Sequence, residues 1–311
     1  MKADLLKAVE PETAGSPTGE SMKWVRRSLR TLAGQLAQRA CPSVLRRLLR
    51  SAGYGLRANH KRLSGQSPPD RDRQFRYLGR LRHLALSKGC PVLSIDTKNK
   101  ELVGNFANDG ATWCAEAEEV NAHDFPQDAE CRAVPYGMYD VGRNRGHVCV
   151  GRSADTSQFA VNCLRNWWRT AEATYTGCRH LLLLADGGGS NSSRGRLWKR
   201  ELQEFATETG LTITVCHYPP GTSKWNWIEH RLFSFISLNW AGEPLRTLRK
   251  LLSLIRGTTT KTGLEVTAAL DPRDYPKKVK VPNAEFKSIQ LQRHNICPQW
   301  NYSITPMNSR K

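Results

Sequence analysis

The sequence predicts a mixed α/β sheet with helices on its faces, preceded by a small all-helical module. Short apolar runs bounded by Gly, Pro and Asn come first as neighbouring pairs and then alternate with helical periodicities, the order expected of such a sheet. Between residues 28 and 53 apolar residues recur at helical spacing around a break at Cys41-Pro42. Positive charge gathers in the same third of the chain. Residues 21–90 hold 17 Lys or Arg against Asp70 and Asp72, a balance of +15 out of +19 for all 311 residues. Such a footprint implies a polyanionic partner.

Residues 1–22 are polar and carry Pro11, Gly15, Pro17 and Gly19, so a loop is expected there. Leu29, Leu32, Ala33 and Leu36 then mark one face of a helix over 28–39. Pro42 breaks it, Ser43 can cap a new start, and Val44, Leu45, Leu48 and Leu49 give the second helix its apolar face as far as Gly53. Two short helices around a tight break, the second carrying three arginines, form a helix-turn-helix signal within residues 23–63. Ser43, Arg46, Arg47 and Arg50 would face DNA, mostly through phosphate contacts. Residues 64–88 read as a linker, Ser64–Asp70, followed by a basic helix over 71–87.

From Gly89 the pattern changes. Strands are expected at 92–97 and 101–106, as an antiparallel pair across Lys98-Asn99-Lys100, and at 136–141 and 147–150; residues 107–135 read as a loop or small insertion. A helix over 156–171 starting at Asp155, a buried strand at 179–185, a helix over 194–209 closed by Gly210 and a strand at 211–218 follow. Helices at 226–239 and 245–256 complete a domain spanning 89–265, and 266–311 reads as a C-terminal tail.

Nine scattered cysteines form no C-x-x-C pair, which argues against a zinc site or a disulfide framework and for reduced thiols inside a cell. The N-terminus lacks an apolar signal core, and the longest aliphatic run, Leu181–Leu184, is too short to span a bilayer. A soluble cytoplasmic protein without a membrane partner is expected. Gly187-Gly188-Gly189-Ser190-Asn191 lacks the Gly-Lys-Ser/Thr ending of a P-loop, and His123, His217 and His230 match no zinc spacing.

Three acids stand apart from the rest. Asp96 ends the run Val92-Leu93-Ser94-Ile95, Asp186 ends Leu181-Leu182-Leu183-Leu184-Ala185, and Glu229 lies one turn into a helix after Pro219-Pro220-Gly221-Thr222-Ser223. Magnesium takes oxygen ligands in octahedral geometry, and a pair of ions roughly 3.5–4 Å apart serves in-line displacement at phosphorus. Carboxylates on two neighbouring strand ends and an adjacent helix suit two such ions, with Asp96 shared and Asp186 and Glu229 each on one side. Lys98, Lys224 and Arg231 lie close to the acids in sequence and suit scissile-strand phosphates. Trp225 suits stacking on an unpaired base.

The stretch Cys216–Phe233, with its paired prolines, polar turn and Asn226-Trp227-Ile228-Glu229, resembles the third-acid motif of DDE transposases and parallels the mariner-like pattern. Ile95–Phe106, Val120–Phe125, Ala185–Asn191 and Trp300-Asn301-Tyr302 narrow the resemblance to the Rhodopirellula-type DDE transposase family, over about Val9 to Pro306. The resemblance implies an RNase H-like core with Asp96, Asp186 and Glu229 as the catalytic, metal-binding triad, two Mg²⁺ ions and substitution by Mn²⁺. It implies an insertion-sequence transposase that nicks element ends and transfers the freed 3′-hydroxyl into target DNA without a covalent protein–DNA intermediate. Its partners would be end and target DNA and further copies of itself, in the bacterial cytoplasm beside the nucleoid. A second helix-turn-helix segment is usual upstream in this family, a lysine is common where Trp227 stands, and a β-branched residue where Ala122 stands. An RNase H-like nuclease without strand transfer and an inactive DNA-binding derivative are the alternative readings.

Overall fold

The structure is a computed structural model describing residues 3, 13–15, 23–25, 28–35, 40–54 and 68–307. The chain divides into two units, Met1–Leu63 and Ser64–Lys311.

In the first unit Thr13–Gly15 (β1) pairs antiparallel with Lys23–Val25 (β2), a pairing that begins inside the stretch expected to be loop. Helices Leu29–Gln35 (α1) and Pro42–Ser51 (α2) follow. Leu32, Ala33, Ala40 and Leu45 form their small shared core, flanked by Leu29, Val44, Leu48 and Leu49, which is the apolar face read from the spacing. Pro42 occupies the first turn of α2, where its missing N–H costs nothing. The N-cap is therefore Cys41 rather than Ser43, and the Ser43 hydroxyl lies 2.9 Å from the Cys41 sulfur. The predicted end of the first helix, residues 36–39, and linker residues 64–67 lie outside the described residues.

The second unit is built on strands Val92–Thr97 (β3), Glu101–Val103 (β4), Cys131–Asp140 (β5), Arg145–Gly151 (β6), His180–Ala185 (β7), Thr212–His217 (β8), Glu265–Asp271 (β9), Leu291–Arg293 (β10) and Asn301–Ile304 (β11). Its helices are Arg71–Ser87 (α3), Ser157–Ala171 (α4), Arg196–Thr209 (α5), Ser234–Asn239 (α6), Leu248–Arg256 (α7) and Asn283–Ser288 (α8). The strand order is β10-β11-β8-β7-β3-β5-β6-β9, with β4 attached to β5. Central β3 has the antiparallel β5–β6 hairpin on one side and the parallel strands β7 and β8 on the other. That arrangement is RNase H-like.

Alternation along β3 and β7 sorts the layers. Leu93, Ile95, Leu181, Leu183 and Ala185 face one core with Phe159, Leu164, Trp198 and Phe205 of α4 and α5. Val92, Leu182 and Leu184 face the other side, packed with Leu78 of α3. Farther along that side, Leu232, Ile236, Leu251 and Ile255 cover Val148 and Val150. Helices thus lie on both faces.

Two expectations are corrected. β3 does not pair with β4; both pair with β5, which begins at Cys131 inside the predicted loop. A central strand takes the partner that buries it over most of its length, and ten-residue β5 does so where three-residue β4 does not. Residues 266–311 are also more than a tail. β9 runs parallel to β6, and β11 pairs with β8 while β10 forms the sheet edge. β10 and β11, of three and four residues, carry too little periodicity to be read locally.

Polar contacts fasten α3 to this added edge. Gln74 is fully buried and exchanges amide bonds with Asn301, Nε2 to Oδ1 at 2.7 Å and Nδ2 to Oε1 at 2.7 Å. Its Nε2 also donates to the His217 carbonyl at 2.9 Å. Tyr77 Oη lies 2.8 Å from His294 Nδ1, and His294 Nε2 lies 2.8 Å from the Ser303 hydroxyl.

Candidate active site

Parallel pairing of β3 with β7 sets Ser94 beside Leu184 and Ile95 beside Ala185. One step further along the same register brings Asp96 beside Asp186, on the face shared by Val92, Ser94, Leu182 and Leu184. The apolar runs that made these residues look like strand ends thus place two carboxylates at adjacent strand ends.

Glu229 arrives from β8. That strand ends at His217, and the Tyr218 amide donates to the Ala185 carbonyl at 2.9 Å, directing the following chain across Asp186. Thr222 closes the Pro219-Pro220-Gly221 turn by bonding the Pro219 carbonyl, and a short 3₁₀ turn, Ser223–Trp225, leads to Asn226. Glu229 is the first residue of a π-helical turn, Glu229–Phe233, that runs on into α6. Such wide turns are frequent at functional sites. Gly137 lies opposite Asp96 on β5, and a Cβ there would lie 2.5 Å from the Phe233 ring and 2.8 Å from Ile228. Absence of that side chain lets the Glu229 helix rest on the sheet beside Asp96.

Asn226 joins the three acids. It is fully buried, and its Nδ2 donates to Asp96 Oδ2 at 3.3 Å, Asp186 Oδ1 at 3.4 Å and the Ile95 carbonyl at 3.4 Å. Its Oδ1 accepts from the Ser94 hydroxyl at 2.5 Å, and that hydroxyl accepts from the Ile228 amide at 3.0 Å. The Asn226 carbonyl accepts from the Glu229 amide at 3.2 Å. Asp96 Oδ1 is held by the Thr97 amide at 2.8 Å.

Crowding raises the proton affinity of all three acids. Burial and then the charge of Asp186 push Asp96 up to about 7, against the pull of the Thr97 amide. Burial and then Glu229 push Asp186 up to about 6, opposed by Asn226. Burial raises Glu229 as well, opposed by His230 and Lys98. Negative charge here is unfavourable without a cation. Among the described residues no three His, Cys, Asp or Glu side chains converge tightly enough to hold an ion as a set. Two aspartates sharing one donor nevertheless match the one or two carboxylates that magnesium usually takes from protein, water filling its other positions.

A buried relay stands behind Asp186. Trp198 Nε1 donates to Tyr302 Oη at 2.8 Å, Tyr302 Oη lies 3.3 Å from His217 Nε2, and His217 Nδ1 lies 3.0 Å from the Asp186 carbonyl. Burial lowers His217 to about 4, so the ring is neutral near neutral pH. With its own lone pair taken by Trp198, Tyr302 donates to Nε2, and the proton on Nδ1 serves the Asp186 carbonyl. The sequence offers a signal for these residues only in retrospect, as polar side chains on strands otherwise fully buried. Ser94, Gln74 and the roles of Asn226, His217 and Tyr302 are what local reading misses.

The remaining predicted residues fall into three groups. Lys224, Trp225 and Arg231 line one cleft of about 480 Å³ with Trp227 and His230, and Trp225 is 50% exposed. Lys98 is pinned elsewhere, its Nζ 2.8 Å from Glu101 and 4.4 Å from the Trp240 ring centre, within a cleft of about 790 Å³ on the Thr97 side. A third cleft, of about 510 Å³, opens between Asp186–Gly188 and Tyr218–Gly221, with Arg194 and Trp300 at its walls. Ser43, Arg46, Arg47 and Arg50 are exposed on α2 of the first unit. No helix among the described residues is long and apolar enough to cross a membrane.

Similar solved structures are a Mos1 transposase paired-end complex with left transposon end, 12% identical with a TM-score of 0.44, and a Mos1 mariner paired end complex with Mn, 11% identical with a TM-score of 0.42. A Mos1 strand transfer complex is 12% identical, with a TM-score of 0.42. Each match covers 81% of this chain and 68% of the other. No curated protein matches the chain. Residues 4–306 match the family described as Rhodopirellula transposase DDE domain, and the chain therefore belongs to that family of transposases.

Proposed function

We propose that this transposase cuts DNA at the ends of an insertion sequence and joins the freed 3′-hydroxyl to target DNA, using Mg²⁺, or Mn²⁺ in its place, held by Asp96, Asp186 and Glu229. The observation that carries this reading is the meeting of Asp96 and Asp186 on the Asn226 side-chain amide, while the Asn226 backbone carbonyl accepts from the Glu229 amide. Two ions bound by these acids would activate the attacking oxygen and stabilise the leaving one in an in-line displacement.

The chain's own groups do the rest. Asp96 and Asp186 would hold a cation in their ionised forms, and any proton that their raised affinity retains would be released on binding. Lys224 and Arg231 neutralise phosphates of the strand being cut, and exposed Trp225 stacks on a base unpaired at the cleaved end. Lys98, bonded to Glu101, contributes positive potential toward Glu229. Ser43, Arg46, Arg47 and Arg50 of the helix-turn-helix module hold element-end DNA through its phosphates. The protein acts as a homo-oligomer on DNA beside the bacterial nucleoid.

The test incubates purified full-length protein with labelled element-end DNA and Mg²⁺ or Mn²⁺, beside Asp96→Ala, Asp186→Ala and Glu229→Ala. Metal-dependent nicking and joining by wild type alone is expected. Nicking without joining would reduce the protein to a nuclease, and binding without nicking would reduce it to a DNA-binding protein.

A further inference from the structure

We infer that Asn226, locked in orientation by Ser94, is a positioning residue that sets the two aspartates for a divalent cation before the cation arrives. This rests on the metal-site reading above and assigns within it a part to two residues that are not acids.

An asparagine amide can turn over, exchanging donor for acceptor. Here it has one satisfactory orientation. The Ser94 hydroxyl accepts from the Ile228 amide at 3.0 Å, so its own proton is directed to Asn226 Oδ1 at 2.5 Å. Oδ1 is thereby fixed as the acceptor, and both protons of Nδ2 must point toward Ile95, Asp96 and Asp186. Reversal would set an amide oxygen against two carboxylates in a buried site, with nothing to donate to it.

Ser94 lies two residues before Asp96 on the same strand face, and Asn226 lies three before Glu229. The lock thus joins the segment that carries Asp96 to the one that carries Glu229, and reaches Asp186 through the Asn226 amide. Without it, two carboxylates on adjacent strand ends repel and rotate apart. With it, Asp96 Oδ2 and Asp186 Oδ1 turn toward one point, while Asp186 Oδ2 accepts no hydrogen bond among the described residues. The bonds from Nδ2 are long, 3.3 and 3.4 Å, so a cation competing for the same oxygens displaces little. Partners that orient metal ligands in this way commonly change affinity by about 10–100-fold when removed.

The experiment measures Mn²⁺ binding to full-length protein without DNA, by titration calorimetry and by the loss of free-Mn²⁺ electron paramagnetic resonance signal. The proteins are wild type, Asn226→Ala, Ser94→Ala, the double variant and Asp186→Ala. Asn226→Ala should weaken binding at least tenfold, and Ser94→Ala several-fold, with the amide still present but free to turn. The double variant should be no weaker than Asn226→Ala, because the serine acts only through the amide. Nicking by Asn226→Ala should recover as Mn²⁺ is raised, which a merely structural defect would not allow.

Should Asn226→Ala fail to fold, Ser94→Ala carries the test by itself. Wild-type affinity in either single variant overturns the inference and leaves the metal site standing. Failure of wild type to bind Mn²⁺, or Asp186→Ala binding as tightly as wild type, overturns the metal site and this inference with it.

Discussion

Asp96→Asn should stabilise the metal-free protein at alkaline pH, although it removes a proposed catalytic group. The Asp96 carboxyl is raised from 3.8 to about 7 by burial and by Asp186. Between those values the folded chain holds a proton that the unfolded chain has released, so this group lowers stability progressively as pH rises from about 4 to about 7 and lowers it fully above. Taken at face value the displacement is worth roughly 4 kcal/mol, at 1.36 kcal/mol per pKa unit. Asp96 is partly open to solvent, and screening together with the loss of one long bond from Asn226 reduces the expectation to about 1–2 kcal/mol. For a unit of this size that corresponds to about 3–6 °C in melting temperature. Melting curves followed by circular dichroism at pH 4.5 and pH 8, with EDTA present, should show the full gain at pH 8 and about a quarter of it at pH 4.5. Replacing EDTA by Mg²⁺ at pH 8 should stabilise wild type and leave Asp96→Asn unchanged, since only wild type gains binding energy. A variant less stable than wild type at pH 8 without metal would refute the claim that Asp96 carries an uncompensated charge.

Tyr302→Phe removes the hydroxyl between Trp198 and His217 and leaves two buried polar groups without that partner; urea unfolding should register a loss of about 1–3 kcal/mol. Gly137→Ala places a methyl group against the Phe233 ring and Ile228; a loss of about 1–3 kcal/mol in the same assay, with nicking reduced further than stability explains, is expected from a displaced Glu229 helix. Replacing Arg46, Arg47 and Arg50 by Ala should weaken binding to all DNA sequences alike, and the slope of log affinity against log salt should fall by about one per lost phosphate contact. An unchanged slope would remove α2 from the DNA interface.

Asp96 and Asp186 were legible because apolar runs with β-branched or leucine-rich composition stop at them, and a charge closing such a run marks where a buried strand emerges from the core. Glu229 was legible from the Pro-Pro-Gly turn that precedes a helical pattern. The tie between them was not. Asn226 looks like any polar residue near a helix start, and its contacts with Ser94, Asp96 and Asp186 span 132, 130 and 40 residues. Gln74 sits in a helix whose arginines suggest an exposed surface, yet it is buried because Asn301 meets it across 227 residues. For Lys98 the sequence shows the charge and not its partners. Sequence proximity to Asp96 suggested a phosphate ligand, whereas Glu101 and Trp240 engage its ammonium.

By itself the sequence determined the segments: which runs bury, which turn, where positive charge collects, and which three acids lie near element boundaries. These depend on periodicity and composition within a dozen residues, where backbone geometry converts spacing directly into a face. Tertiary structure decided the partners. It placed β5 rather than β4 beside β3, carried the last strands into the sheet edge, and set one buried side-chain amide against two carboxylates. Those outcomes depend on register between distant segments, fixed by burial of whole strands and by the need to satisfy every buried polar group, and no local pattern encodes them.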